Sequence, residues 1–549
     1  MTHIMRPVFA LLPRRSDYAG LRRSWRRDLL AGITVGIVAL PLALGFGISS
    51  GAGATAGIVT AIVAGVIAAV FGGSNVQVSG PTGAMVVVLG PVIATHGIAS
   101  LWLLTVMAGI IVLAAGILRL GRTVAFIPWP VVEGFTLGIA VIIFLQQIPS
   151  LTGSSSHTSA HTNVVVTAAL SLATANPVYL LWATGAVAVV ASCVLLLPRL
   201  HRGIPGSLIG IVLVTLIGVL IPNPLDNVGT LPAGLPLPQF PAFDAATVTA
   251  LALPAVTIAA LAAIESLLSG RVAASMADTG PFDPDRELAG QGLASLGAGL
   301  CGGMPATGAI ARTAVNVRAG ARTRLAALTH AIVLAVIVSA AAQPAGLIPI
   351  AALAGVLMVT AVRMVHLATA RSILRSTRAD AAAYIITAVV TISVDLIVAV
   401  IIGIITAGIL ALRAMARTST MERESLPEPA HPGDEKIAVI RIDGPLLFAS
   451  ADRVMEAIAG LKDVQVVILR MSQIELVDAT GARALTDVIT RLEARGVTVL
   501  VKGIRPGHAE LFATVGALAA LRHHKHLFST LPDAITHART HTTHAGSTR

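Results

Sequence analysis

Met304-Pro305-Ala306-Thr307-Gly308-Ala309-Ile310-Ala311-Arg312 follows an apolar, Gly-rich run and then sets a lone arginine among apolar neighbours. It carries the start signals of a helix. Pro at the first helical position costs no intrahelical bond, Thr can cap, and Gly lets another group approach the backbone. A similar stretch, Ser79-Gly80-Pro81-Thr82-Gly83-Ala84, lies far upstream. Aligning Thr82 with Thr307, an offset of 225, matches Pro81-Thr82-Gly83-Ala84 to Ala306-Thr307-Gly308-Ala309. The two helix starts are expected to face each other inside a membrane.

The surroundings make that membrane necessary. Of 549 residues, 55% are hydrophobic and 12% charged, with mean hydropathy +0.85; soluble chains carry about a quarter charged residues. Residues 29–118 and 135–198 contain no Asp, Glu, Lys or Arg. Because roughly 20 apolar residues cross a bilayer, each run must hold several helices. Abundant Ala and Gly suit close helix packing. The net charge of +11 sits in short inter-helix segments and an N-terminal arm, which points to a lipid bilayer and excludes nucleic acid as a partner. Cys193 and Cys301 allow one bridge at most and read as small buried hydrophobes. Residues 7–12 are too short for a signal-peptide core, so the arm at 1–28 is expected to lie on the membrane surface, with Trp25 at the interface.

In chain order, spans are expected at 28–50, 55–71, 81–95, 101–118 and 128–148. A polar, strand-like piece (72–79) precedes the third, and an uncharged Ser/Thr/His loop covers 151–163. A sixth span ends near Pro198 and a seventh covers 206–221. A Pro-rich linker, 222–244, excludes regular helix. The rhythm then repeats at 245–268, 287–300, a short helix from Pro305, 325–341, 347–362, 379–393 and 394–415, about fourteen in all. The Arg119/Arg122, Arg199/Arg202, Arg271/Arg286, Arg318/Arg322/Arg324 and Arg371/Arg375/Arg378 clusters all follow even-numbered spans, as do Arg413 and Arg417. Both termini are therefore expected to be cytoplasmic. Two halves (29–222 and 245–416) of seven spans each must be inverted repeats.

A half-helix beginning inside a bilayer offers unpaired N–H groups and a positive dipole end, hence an anion site. Thr82, Gly83, Thr307 and Gly308 are its candidates. Glu265 is the only charged residue between Asp244 and Arg271, and an intramembrane charge is a functional candidate. It repels an anion unless it carries a proton or holds Na⁺, for the latter with Ser269 one turn later. Arg312 is expected either to lend positive potential to an anion or to snorkel to the cytoplasmic surface, which the topology lets it reach.

From 417 to 434 a polar linker with three prolines follows, then a soluble α/β domain at 435–540. Its strands are expected at 437–442, 464–470 and 497–501, and its helices at 451–461, 482–493 and 509–518, in a mainly parallel sheet. His523, His524 and His526 read as a solvated cluster with no metal, and 541–549 as a disordered tail.

The stretches GITVGIVALPLALGFGISSGAG, QVSGPTGAMVVV, AIESLLS and PATGAIARTAVNVRAGARTRLAALTHA together resemble the sulfate-permease family of anion transporters. LRMSQIELVDATGARAL resembles the STAS domain that closes them. That resemblance implies a polytopic α-helical membrane protein of two inverted seven-span repeats, arranged as core and gate, with a cytoplasmic α/β STAS domain. It further implies an elevator-like motion and a homodimer. It places substrate at Phe46, Thr82, Gly83, Ala84, Ala306, Thr307 and Gly308, with Glu265 alongside. In related bicarbonate carriers an aspartate at the Glu265 position helps hold Na⁺; a glutamate here resembles the proton-coupled members. In regulatory STAS proteins a Ser or Thr before a helix is phosphorylated, and Thr480 occupies that place, although transporters more often use this loop to dock a cytoplasmic partner.

The expectation is a non-enzymatic secondary active transporter of a small inorganic oxyanion, sulfate or bicarbonate. It would reside in a bacterial-type plasma membrane, be coupled to H⁺ and need no cofactor. The alternatives are Na⁺-coupled bicarbonate symport, an exchanger or channel, and a membrane-anchored anion sensor signalling through the STAS domain.

Overall fold

The computed structural model describes residues 11–18, 20–122, 128–153, 163–200, 204–232, 234–238, 244–393, 396–447 and, with short breaks before 460, 451–544. The chain divides into two units, Met1–Ile404 and Ile405–Arg549.

The first unit contains α1 (Leu21–Ser49), α2 (Gly53–Phe71), α3 (Gly83–His96), α4 (Leu101–Ile117), α5 (Trp129–Gln146), α6 (Val164–Ala173), α7 (Pro177–Leu200) and α8 (Gly206–Leu220). After the linker come α9 (Ala245–Met276), α10 (Pro284–Leu300), α11 (Ile310–Arg318), α12 (Arg324–Gly346), α13 (Ile350–Met364), α14 (Leu367–Arg375) and α15 (Arg378–Ser393). Helix α16 (Leu396–Thr418) leads into the second unit. Among the described residues, eight helices are long and apolar enough to cross a membrane, and four shorter apolar helices accompany them.

Packing sorts these helices into two groups, each drawn from both halves of the chain. In one, α10 lies along α4 and α2, α12 along α1 and α2, and α9 along α4 and α11. In the other, α15 lies on α5, α7 on α8 and α13, and α13 on α5. The 225-residue offset carries α1 onto α9, α2 onto α10 and α4 onto α12. It therefore maps the α4–α10 pair onto α12–α2 and the α1–α12 pair onto α9–α4, as a repeat requires. Small residues set the closest approaches: a Cβ on Gly57 would lie 2.0 Å from the Ala43 carbonyl, so α1 and α2 meet backbone to backbone.

Several segments differ from expectation. Helix α9 continues to Met276, and α12 loses helical geometry at Ala341 (φ −126°, ψ 24°), where its end was expected, then resumes to Gly346. The short helices α6 and α14 were not anticipated. The described part of the Pro-rich linker is anchored: Asn227 bridges to Pro349, and the Tyr179 hydroxyl donates to Asp226 at 3.2 Å. Most of the 151–163 loop lies outside the described residues. Two arginines expected in loops are buried. Arg286 pairs with Asp17 at 2.8 Å, and Arg324 donates to the Ala69 carbonyl at 3.1 Å. Asp28 accepts from the Arg322 and Thr323 backbones at 2.7 and 3.1 Å. These bonds hold the N-terminal arm and the segments before α10 and α12 at one end of the bundle, as the charge pattern requires.

The second unit is a six-stranded sheet: β3 (Thr420–Glu424), β4 (Ile437–Leu446), β5 (Val466–Arg470), β6 (Ile474–Val477), β7 (Thr498–Lys502) and β8 (Leu527–Phe528). The order is β3-β4-β5-β7-β8 with β6 also on β4, and only β3 runs antiparallel. (The strands β1, Ser79–Gly80, and β2, Thr307–Gly308, belong to the membrane unit, below.) Helices α17 (Ala479–Ala494), α18 (Pro506–Val515) and α19 (Leu531–His544) complete it. Strand β3 falls inside the expected linker. Its polar sequence pairs through charge, since Arg441 bonds Glu422, Glu424 and Asp443 and Arg470 bonds Glu424. Helix α19 reaches into the stretch expected to be disordered because Ala534, Ile535 and Ala538 are buried against the sheet. The expected helix at 451–461 lies partly outside the described residues.

Helix α19 is also tied by Arg539, which donates twice to Asp434 at 2.9 Å. These bonds hold the Asp434 carboxyl below the usual carboxylate range. A lowered folded value means the contribution is present above the ordinary carboxylate pKa of about 3.9 and is lost as pH falls through the lowered value. Amide exchange across α19, corrected for intrinsic rate, should accelerate at that acid step, and Arg539→Gln should remove the step. Protection independent of pH in this range would exclude the tie.

Candidate functional site

The opening stretch does not start a helix where its proline suggested. Thr307–Gly308 forms a two-residue strand, β2, antiparallel to β1 (Ser79–Gly80), with Ser79 opposite Gly308 and Gly80 opposite Thr307. The next pair along would be Pro81 with Ala306, the positions that the 225 offset makes equivalent. The two strands thus cross on the pseudo-two-fold axis of the repeats. Helix α3 begins at Gly83, but α11 begins only at Ile310, which corrects the expected start at Pro305 and places Arg312 in the first turn.

The reason lies in backbone satisfaction. Irregular backbone inside a membrane must find every partner within the protein. The Thr60 hydroxyl accepts from the Met304 N–H at 2.7 Å, and Thr60 sits in a π-helical turn of α2, Thr60–Ala64. Thr105 donates to the Gly303 carbonyl at 3.2 Å, and Ser295 accepts from the Ala306 N–H at 3.2 Å. Ser266 accepts from the Gly308 N–H at 3.0 Å, and the Ala309 N–H reaches the Val78 carbonyl at 2.9 Å. On the other strand, Thr313 accepts from the Val78 N–H at 3.0 Å and Asn316 donates to the Val76 carbonyl at 2.8 Å. These partners satisfy the backbone of an extended segment, which can then pair across the axis.

Since antiparallel strands feed α3 and α11, the two helices leave the crossing in opposite directions, each presenting its N-terminal end there. The first turn of α3 closes with Val86 N–H to Thr82 C=O at 3.4 Å, so the N–H groups of Gly83, Ala84 and Met85 precede the helix's own bonding. Gly83 accommodates two neighbours: a Cβ there would lie 2.0 Å from Ile143 and 3.4 Å from Phe46. Phe46, Ala84 and Ala306 are all buried.

Thr82 makes no capping bond. Its hydroxyl instead donates to the Glu265 carboxylate at 2.8 Å, and the Thr307 hydroxyl donates to the Ala262 carbonyl of the same helix, α9, at 3.4 Å. Thr307 further shares a bond with Ser266 at 2.9 Å. Thr82, Glu265, Thr307 and Gly308, expected from sequence, are therefore brought together. Ser269 is not among them: its hydroxyl bonds Thr313 at 3.2 Å, one turn away from Glu265. Arg312 does not snorkel. It is 2% exposed, and its guanidinium donates to the Pro81 carbonyl, bracing the strand before α3. Thr480 lies exposed in the first turn of α17, where the Asp478 side chain accepts from the Gly481 N–H at 2.7 Å.

Sequence reading missed a polar network beside this crossing. Glu287, 1% exposed, accepts from the Gly73 N–H, Gln77 and Gln291, each at 2.8 Å. Gln77 also donates to the Ser266 carbonyl at 3.2 Å and Gln291 to Ser79 at 2.5 Å. The Glu287/Gln291 spacing, one helical turn in an apolar run, was the available signal. Glu287 is saturated with donors and holds the crossing together. Glu265 is partly buried and keeps acceptor capacity free.

Removing the Thr307 methyl-for-hydroxyl distinction tests its place. Thr307→Val should weaken anion binding by roughly 1.5–3 kcal/mol, the worth of a hydrogen bond to a charged group, or about ten- to a hundredfold in Kd. An unaltered Kd by calorimetry would remove Thr307 from the site.

Two opposed half-helix ends meet at a strand crossing, between inverted repeats and beside an intramembrane carboxylate, an arrangement that fits a membrane transporter. Residues 25–387 match the model of the sulfate permease family and residues 428–534 that of the STAS domain. The chain belongs to the sulfate permease family of anion transporters; it is a multi-pass transporter and not an enzyme. It is 32% identical over 505 residues to YvdB of Bacillus subtilis, provisionally named a sulfate transporter, covering 90% of this chain and 94% of that one. It is 30% identical to the bicarbonate transporter BicA of Synechocystis, covering 88% of each. Its fold matches the murine Solute Carrier 26 family member A9 anion transporter, solved in the inward-facing state, with a TM-score of 0.83 at 18% identity, over 97% of this chain and 94% of that one.

Proposed function

We propose that this chain is a proton-coupled secondary active transporter of a small inorganic oxyanion, sulfate or bicarbonate, working by an elevator-type displacement of one helix group against the other. The observation that carries the reading is the Thr82–Glu265 hydrogen bond at 2.8 Å. It joins the half-helix start that would hold the anion to the carboxylate that would carry the proton, so loading one site is felt at the other. The names of YvdB and BicA support the two substrates. Glu265 is the coupling group rather than Glu287, whose donors are already supplied. A proton is favoured over Na⁺ because the Ser269 hydroxyl, the expected second oxygen ligand, is engaged with Thr313. The same reading takes fourteen spans, a homodimer in a bacterial-type plasma membrane, cytoplasmic termini, and a STAS face around Thr480 open to a cytoplasmic partner.

Reconstituted liposomes test it. Saturable uptake of labelled sulfate or bicarbonate, accelerated by an inward proton gradient, supports the carrier. Anion binding without flux would instead make the protein a sensor.

A further inference from the structure

The exposed histidines near the C-terminus do not form one solvated cluster. His523 and His524 are exposed, but His526 is only 4% exposed. It sits immediately before β8, at the sheet edge, and faces α19 rather than water. Helix α19 carries His537 and His541 one turn apart, so both project from one face. The ring centroids of His526, His537 and His541 lie 5.5, 5.7 and 4.9 Å from one another. One ring nitrogen from each falls within 4.8 Å of the others.

We propose that His526, His537 and His541 form a site for a divalent transition-metal ion of the zinc class, with a fourth position left to water. Two observations carry this. The Nε2 atoms of His537 and His541 already stand 3.3 Å apart. For a metal–nitrogen bond of about 2.0–2.1 Å, tetrahedral geometry sets neighbouring ligand nitrogens about 3.3–3.4 Å apart. The pair is thus one edge of a zinc tetrahedron before any metal is added. The third ligand is buried, and its Nδ1 has no hydrogen-bond partner, an arrangement that a buried polar atom rarely tolerates. An imidazole-to-imidazole hydrogen bond accounts for the first observation but leaves the second unexplained. Three imidazoles without a thiolate favour Zn²⁺, Cu²⁺ or Ni²⁺ over the oxygen-seeking Mg²⁺ and Ca²⁺. Binding would clip α19 to the strand at the end of the sheet.

The test uses the full chain, purified through a tag without histidine and stripped with chelator. Co²⁺ titration should give stoichiometric tetrahedral visible bands that Zn²⁺ displaces, and Zn²⁺ should raise the midpoint of thermal unfolding. His537→Ala and His541→Ala, half-buried on a helix that Ala534, Ile535 and Ala538 hold against the sheet, should each weaken Zn²⁺ affinity by at least about tenfold. His524→Ala should leave it unchanged. His526→Gln serves as the third variant, since it keeps the side chain polar and close in size. Tetrahedral bands absent from the stripped protein, or Zn²⁺ affinity unaltered in the His537→Ala/His541→Ala double variant, would overturn the site.

Discussion

Glu265→Gln is expected to abolish proton-driven anion uptake while the protein folds normally. The amide keeps the shape of the carboxyl and an oxygen that can accept from Thr82, the bond seen at 2.8 Å. It cannot take up or release a proton. A carboxylate near the middle of a bilayer costs about 2.5–3.5 kcal/mol on insertion scales, so its charge state and the presence of an anion nearby are strongly linked. With the proton fixed in place by chemistry, the gradient has nothing to act on. Uptake under an inward gradient should fall to the rate without one, and exchange of internal for external anion should persist. Gradient-dependent uptake at the original rate would take the coupling role away from Glu265.

Gly308→Val is expected to have a comparably large effect through packing. A Cβ on Gly308 would lie 1.7 Å from the Gln77 side-chain nitrogen and 3.2 Å from Ser266. Gln77 would have to leave, and with it the donor that it gives Glu287 at 2.8 Å. Losing a hydrogen bond to a charged group costs about 1.5–3 kcal/mol, and the strand pair β1–β2 is the first structure to feel it. Anion binding and uptake should drop to background, with a lowered unfolding midpoint. Gly185→Ala, where an added Cβ meets nothing within 4 Å, should be neutral and serves as the control. Wild-type uptake by Gly308→Val would show that the crossing tolerates displacement.

The membrane unit was largely legible because its signals are local: uncharged runs, arginine alternation and a repeated Pro/Ala-Thr-Gly-Ala tetrapeptide. Glu265 and Thr82 could be named for the same reason, being polar groups where polarity is costly. What could not be read was pairing across more than two hundred residues. Pro305 and Gly308 are helix-start residues in isolation; only the partners Thr60, Ser295 and Ser266, from three other helices, make the extended path preferable. Arg312 failed similarly, because the carbonyl that it braces belongs to Pro81 in the other repeat. In the STAS unit, β3 and β8 escaped because one is held by cross-strand charge and the other spans two residues. Helix α19 was hidden by its many polar residues, including the half-buried His537 and His541.

In the proposed cycle a proton accompanies the anion through the site joined by Thr82 and Glu265. Simultaneous recording of labelled anion uptake and internal pH in liposomes, with and without Na⁺, tests it most directly. The expected result is acidification of the lumen in step with saturable uptake, independent of Na⁺ and absent in Glu265→Gln. Uptake that requires Na⁺ and leaves internal pH unchanged would contradict it.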